Sequence, residues 1–465
     1  MLTYNIESRG STPIYIYLYN CIKLDIENKT IKSNEKLPSK RNLAEHLKVS
    51  IMTVQNAYLQ LLSEGYIYSR EKSGYYASDL EWFNTTVSNK NVLVKQLNKN
   101  TDEYYIDFCE NSINIGNFPF SIWSKQMRDV LSERDSELLR KSPIEGVLKL
   151  RNAIAVFLHH FRGMLVLPEQ IIIGAGTEYL YGLLVKLLGK DDIYAVEDPG
   201  YKKITQIYKK ENVSCRHISL DKYGISVEEL KKSDVNIVHI SPSHHFPTGI
   251  VMPIKRRQEL LNWANEEINR YVIEDDYDSE FRFTGKLIPT MQSIDVQDKV
   301  IYINTFSKTI SPAIRISYMV LPCSLAKKYK EELDFYSCTV SSFEQYTLAK
   351  FIENGYFERH INRMRKLYKL KRDLIIKVIR SSSLESKIDI LEENSGLHLI
   401  LKLETDMSDE EIVHQAKINN IKISCLSQYC YKQENAIKSM VIINYSGVDV
   451  AKVEPAIKTL SKIIR

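Results

Sequence analysis

Five apolar runs in this 465-residue chain each break off into residues equipped for chemistry. Ile171–Ile173 leads into Gly174-Ala175-Gly176-Thr177, and Ile193–Val196 into Glu197-Asp198-Pro199-Gly200-Tyr201. Ile237–Ile240 leads into SPSHHFPTG, Tyr271–Ile273 into EDDYD, and Val300–Ile303 into NTFSK. Runs of this length bounded by turn residues read as buried strands, and an open parallel sheet binds its ligand off the carboxyl ends of its strands. Gly174–Thr177, between a strand and a helix start, offers bare amides suited to a phosphate. Lys308, just past a buried strand, is a desolvated amine able to form a Schiff base with an aldehyde. Arg315, seven residues on, can grip a phosphate in bidentate fashion. Asp275 can hold a proton on a pyridine nitrogen, which makes the ring an electron sink. Tyr277 can bond a phenolic oxygen of that ring, and Tyr201 can stack on its face. Singly these are a surface lysine, a solvated acidic loop and a turn; together they describe one ligand.

The elements that must position these groups follow from the texture of the chain. From about residue 104 onward, short apolar runs alternate with longer helical patterns. That is an α/β body with a mainly parallel sheet and helices on both faces. Residues 84–100, rich in Asn, Lys and Thr, read as a linker. Ahead of it, Pro38 and Ser39 open a helix carrying Leu43, Ala44 and Leu47. Lys48-Val49-Ser50 turns into a second helix, with Val54, Ala57, Tyr58, Leu61 and Leu62 on one face. Met52, Thr53, Gln55 and Asn56 lie on the other, and Gly65 stops it. Two short strands follow, Tyr66–Ser69 and Tyr75–Ala77, around a turn with Arg70, Lys72 and Gly74. Helix, turn, helix and hairpin make a winged helix-turn-helix.

The segment Leu37–Ser78 resembles the head of the GntR family of bacterial regulators nearly position by position. The resemblance implies DNA contacts from Ser39 and Arg41. It also implies a major-groove stretch with Ser50, Met52, Thr53, Gln55 and Asn56, and a wing whose Lys72 approaches the backbone. Family members often carry Arg where this chain has Ile51 and Gln55. Gln favours adenine where Arg favours guanine, so an A·T-rich operator is expected. The body resembles the fold-type-I aminotransferases over residues 105–465. More narrowly, SPSHHFPTG, IEDDYDSEF and NTFSKTISPAIRISYMVLP resemble the MocR subfamily of GntR-headed, aminotransferase-like regulators.

That resemblance implies pyridoxal 5'-phosphate (PLP) as cofactor. Lys308 is then its Schiff-base lysine, Asp275 its pyridine partner, Tyr277 its phenolate partner and Tyr201 its stacker. Gly176, Thr177, Thr305, Ser307 and Arg315 hold the phosphate. Phe246 stands where true aminotransferases have an Asn that bonds the ring oxygen, and His244 or His245 is expected to substitute. The implied organisation is a DNA-binding domain at 1–80, a linker at 81–104, and a PLP-binding body at 105–465. The body then has a large part at about 120–325 and a small part at about 340–465. A homodimer with swapped heads on a double-stranded DNA operator is implied as well.

The pattern breaks at the substrate grip. Aminotransferases hold the substrate carboxylate with arginine from the small domain, yet no arginine lies between Arg380 and Arg465. A second arginine expected two residues after Tyr201 is Lys203, a point charge in place of a planar fork. Lys203 with Lys422 or Lys438 remains as an effector clamp, or another residue supplies one in three dimensions. The expected function is a PLP-dependent transcription regulator, not an enzyme, sensing PLP itself or a small amine or amino acid. The alternative is an active aminotransferase carrying a DNA-binding head.

Composition narrows the field without deciding it. A net charge of +5 is small for this length and argues against a nucleic-acid-coating protein. The seven cysteines form no CxxC pair and lack His partners at zinc spacing, so reduced cysteines and no metal are expected. The start MLTYNIESRGSTPIY has no leader pattern, and no long apolar run suits a membrane; a cytoplasmic protein is expected.

Overall fold

The computed structural model describes residues 2–71, 73–80, 104–109, 115–133, 135–283, 288–393, 396–432 and 436–464. The chain divides into two compact units, Met1–Thr101 and Asp102–Arg465. Lys72 and all but the last residue of the 81–104 linker lie outside the described residues.

In the first unit, helix α1 (Ile14–Glu27) precedes the two expected helices, α2 (Lys40–Leu47) and α3 (Ile51–Ser63). The side chains of Ser39 and Ser50 accept from the amides of Asn42 and Thr53, capping α2 and α3. Leu18 and Ile22 of α1 join Leu43, Val54, Tyr58 and Leu61 in one buried core. The hairpin pairs β1 (Ile67–Arg70) with β2 (Gly74–Ala77) in antiparallel register, each strand within a residue or so of its expected place.

The second unit is built on an eight-stranded sheet. In chain order its strands come after the short β3 (Ile106–Asp107). They are β4 (Ile171–Gly174), β5 (Ile193–Asp198), β6 (Ser214–Asp221), β7 (Gly224–Ile225), β8 (Ile237–Ile240), β9 (Tyr271–Asp276), β10 (Val300–Thr305) and β11 (Ser317–Val320). The spatial order is β4-β11-β10-β9-β8-β5-β6-β7. All five expected strands are there. Three more join them, and β11 runs antiparallel to both β10 and β4. Alternation sets the two faces. Ile172, Ile301, Ile303 and Met319 pack with the helix Thr177–Leu188, while Ile171, Ile173, Tyr302 and Tyr318 pack with Leu148–Arg162.

The C-terminal part is a four-stranded antiparallel sheet of β12 (Ile388–Leu391), β13 (His398–Leu403), β15 (Ser424–Cys425) and β16 (Met440–Asn444). It shares a core with the helices Tyr356–Arg380 and Val453–Ile463. Outside it, β14 (Ile421–Lys422) pairs in parallel with β3.

The end of β9 carries three buried carboxylates in succession, and each has its own partners. Glu274 accepts the amides of Met291 and Gln292 at 2.9 and 3.0 Å. Asp276 pairs with the buried guanidinium of Arg162, at the end of the helix Leu148–Arg162, and accepts from the Tyr302 hydroxyl at 2.8 Å. Removing one member of a buried pair leaves a charge without compensation. Arg162→Ala is therefore expected to lower the stability of the body by about 3–5 kcal/mol, read as a fall in its urea midpoint.

Candidate functional site

The carboxyl ends of these strands open onto a cavity of about 830 Å³. Gly176, Thr177, Tyr201, Lys203, His245, Asp275, Tyr277, Thr305, Ser307, Lys308 and Arg315 all line it. His244 does not. Its Nδ1 lies 2.9 Å from Asp278 and 3.4 Å from the Tyr277 hydroxyl, and its ring packs 4.7 Å from that of His398. His244 therefore braces Tyr277 from behind, while its neighbour His245 faces the cavity.

One end of the cavity is shaped for an anion. The helix Thr177–Leu188 begins there, and its N-cap Gly176 has φ +98°. A Cβ on Gly176 would sit 2.4 Å from Nη2 of Arg315, so only glycine lets the guanidinium lie across the helix start. Arg315 donates to the Ala175 carbonyl at 3.2 Å. The Ser307 hydroxyl is buried with no hydrogen-bond partner among the described residues, an orphan that a phosphate oxygen would satisfy.

Asp275 sits on the cavity side of β9, opposite its two neighbours. The Tyr181 hydroxyl donates to its Oδ2 at 2.5 Å, and His239 Nε2 approaches to 3.6 Å. The far nitrogen of His239 is held at 2.7 Å by the Tyr208 hydroxyl. Neither Tyr181 nor His239 was singled out from sequence. Tyr181 lies one helical turn beyond Thr177, on the same face. His239 is a polar residue inside an otherwise apolar strand, and that anomaly was the available signal.

Glu197, at the end of β5, was not singled out from sequence either, and it lies beside the expected His245. Its Oε2 accepts the Ser241 amide at 3.0 Å and lies 3.4 Å from His245 Nε2, whose Nδ1 is 2.7 Å from Thr248 Oγ1. Burial pushes the Glu197 carboxyl up to about 8 and the His245 imidazolium down to about 3. Burial thus favours the uncharged form of both groups beside the cavity.

Two of the three cations considered as a carboxylate clamp are already engaged. Lys203 forms an ion pair with Glu178, and Lys422 donates to Asp107 at 2.8 Å. Lys438 is exposed and does not line the cavity. The wall at Phe246 is aromatic: its ring meets those of Tyr201 and Tyr429 edge-on, at 5.9 and 5.2 Å. Among the described residues, no group of His, Cys, Asp and Glu could hold a metal ion.

In the first unit, Arg41, Met52 and Asn56 are exposed and Thr53 and Gln55 half-buried. Ser39 and Ser50 serve as helix caps, and the Thr53 hydroxyl lies 2.7 Å from Ser50 Oγ.

Residues 103–460 match the family described as aminotransferase class I and II, and residues 15–76 match the bacterial regulatory proteins of the gntR family. YdeL of Bacillus subtilis, an uncharacterized HTH-type transcriptional regulator, is 38% identical over 450 residues, 96% of each chain. The chain belongs to the MocR subfamily of GntR-type regulators. Within it, the pyridoxine biosynthesis regulator PdxR of Corynebacterium glutamicum is 28% identical over 422 residues, 90% of this chain and 89% of its own. A kynurenine aminotransferase from Pyrococcus horikoshii is similar in fold, with a TM-score of 0.68 at 24% identity over 78% of this chain and 91% of its own. The cofactor of this family is PLP, and the anion cradle and the orphaned Ser307 hydroxyl fit its phosphate.

Gly176→Ala is expected to weaken PLP binding about tenfold, since a Cβ displaces Arg315 and strains a positive φ; equilibrium titration of apoprotein by absorbance measures it. A carboxyl whose pKa is raised on folding stabilises most below its unfolded value and loses that contribution as pH rises. Glu197 thus costs the apoprotein stability progressively between its ordinary 4.5 and about 8. Thermal melts across that range should show a shallower decline for Glu197→Gln.

Proposed function

We propose that this chain is a DNA-binding transcription regulator whose aminotransferase-like body holds PLP and reports on its occupancy to the head. The observation that carries the reading is the pairing of a complete cofactor cradle with a cavity lysine, Lys203, that already has Glu178 as its ion-pair partner. Lys308 would bond the cofactor aldehyde, Asp275 would face the pyridine nitrogen, and Tyr277 the ring oxygen. Tyr201 would cover the ring, while Gly176, Thr177, Thr305, Ser307 and Arg315 would hold the phosphate. Bound there, PLP supplies an electrophilic carbonyl carbon and an electron-withdrawing ring. Tyr181 and His239 orient Asp275 for that ring nitrogen, and Phe246 gives the ring oxygen no polar partner.

The carboxylate of an amino acid would have to part Lys203 from Glu178 before it could use that lysine. PLP itself makes no use of that lysine, and together with the absence of arginine between Arg380 and Arg465 this favours PLP, or an amine lacking a carboxylate, as the signal. The name of PdxR, a regulator of pyridoxine biosynthesis, is consistent with that choice.

We assign the transmission of that signal to the segment after β15. The Asp198 carboxylate accepts the amides of Tyr431 and Lys432 at 2.7 and 3.1 Å, and the Gly200 amide donates to Tyr429 at 3.2 Å. The Tyr431 ring stacks on His217 at 3.7 Å. Tyr201 and Phe246 belong to the same wall, so filling the cavity bears on the contacts that tie the C-terminal sheet to the large one. The working form is a cytoplasmic homodimer with exchanged heads, reading two half-sites of a double-stranded operator. No helix among the described residues is long and apolar enough to cross a membrane.

Gel shift and footprinting on the region upstream of its own gene, with and without PLP, test this reading. A sequence-specific shift that changes with PLP in wild type, and no longer does so in Lys308→Ala, is expected. Absence of any sequence-specific shift overturns it. Lys203→Ala should leave the PLP response within about twofold of wild type, as an exposed ion pair contributes little. Multiple turnover with an amino acid and a keto acid would instead establish the aminotransferase.

A further inference from the structure

We propose that Ile51 and Met52 read the methyl groups of thymine in the major groove of the operator. The proposal rests on the DNA-binding reading of the head and assigns its base specificity to an apolar contact.

The surface of α3 is divided sharply. Val54, Ala57, Tyr58 and Leu61 are 0–1% exposed and lock one side of the helix onto the core. That side cannot rotate outward without emptying the core. Ile51 and Met52, at the first turn, are left 49% and 61% exposed. The polar groups beside them are already committed: Ser50 Oγ accepts the Thr53 amide at 3.1 Å and lies 2.7 Å from the Thr53 hydroxyl. A hydroxyl spent on capping its own helix has less to offer a base edge. What remains toward solvent on the first two turns is Ile51, Met52, Gln55 and Asn56. Gln55 and Asn56 lie three and four residues beyond Met52, on the same face.

No residue from Ile51 to Leu61 carries a charge, whereas Arg41 on α2 and Lys48 in the turn are exposed cations. This separation matches the chemistry of a duplex. The cations at the flanks suit phosphates, which fix register, and the neutral helix face suits base edges, which carry sequence. In the major groove the C5-methyl of thymine is the one apolar feature of a base pair, and adenine offers the donor and acceptor that an amide side chain matches. Ile51 and Met52 on thymine, with Gln55 or Asn56 on adenine, would read T·A steps on both strands. The expected A·T preference thus gains a second source, independent of the amide contacts.

The test uses the full chain loaded with PLP. Binding sites are selected from a randomised duplex library. Each thymine of the selected site is then replaced by deoxyuridine, which removes only the methyl. Affinity should fall about fourfold at each contacted position, the worth of one buried methyl. The loss should disappear in Met52→Ala or Ile51→Ala and persist in Met52→Leu. Equal affinity for all uracil-substituted sites overturns the proposal, as does a loss of unchanged size in both alanine variants. If Met52→Ala alters self-association in sedimentation while the uracil substitutions do nothing, the face contacts a second copy and the proposal fails. A library with no enriched site overturns the DNA-binding reading itself, a result distinct from each of these.

Discussion

Three adjacent buried carboxylates cannot share one environment, and the way β9 separates them organises the body. Alternation along a strand sends Glu274 and Asp276 to one face and Asp275 to the other. Asp276 is neutralised by Arg162, which ties a helix to the sheet, and Glu274 is capped by two amides at the start of a short helix. Asp275 alone faces the cavity, held by Tyr181 and flanked by His239. Had the register slipped by one residue, the cavity would face two carboxylates and the core one. Structural and ligand-facing charge are kept apart by the pleat of a single strand.

The rest of the cavity follows a related economy of charge. Burial favours the neutral forms of Glu197 and His245 beside the cavity. Lys203 and Lys422 each have a carboxylate partner. Arg315 lies over a helix start that welcomes a phosphate, and Gly176 makes room for it.

The head shows how little of a recognition surface is left once folding has taken its share. Capping claims Ser39, Ser50 and the Thr53 hydroxyl, and the core claims one full side of α3. Of the polar residues that sequence placed on the reading face, Gln55 and Asn56 remain, beside two apolar side chains that the fold keeps in solvent.

Sequence by itself determined the five central strands, the helix-turn-helix and the identity of the cavity residues that follow each strand. Periodicity, caps and strand-end motifs are local, and local signals survive in a linear reading. It also determined the missing arginine, since an absence over a whole segment needs no coordinates. Tertiary structure decided what depends on partners distant in the chain. The antiparallel β11 was hidden because its direction is set by its neighbours β10 and β4, not by its own residues. Tyr181 and His239 lie 94 and 36 residues from the aspartate they serve, so no spacing announces them. His244 and His245, interchangeable in sequence, part company because one backbone segment turns one ring toward Asp278 and the other toward the cavity. Lys203 could be read only as a free cation until Glu178 was brought beside it. Charge is written in the sequence, but whether it is available is decided by what the fold places next to it.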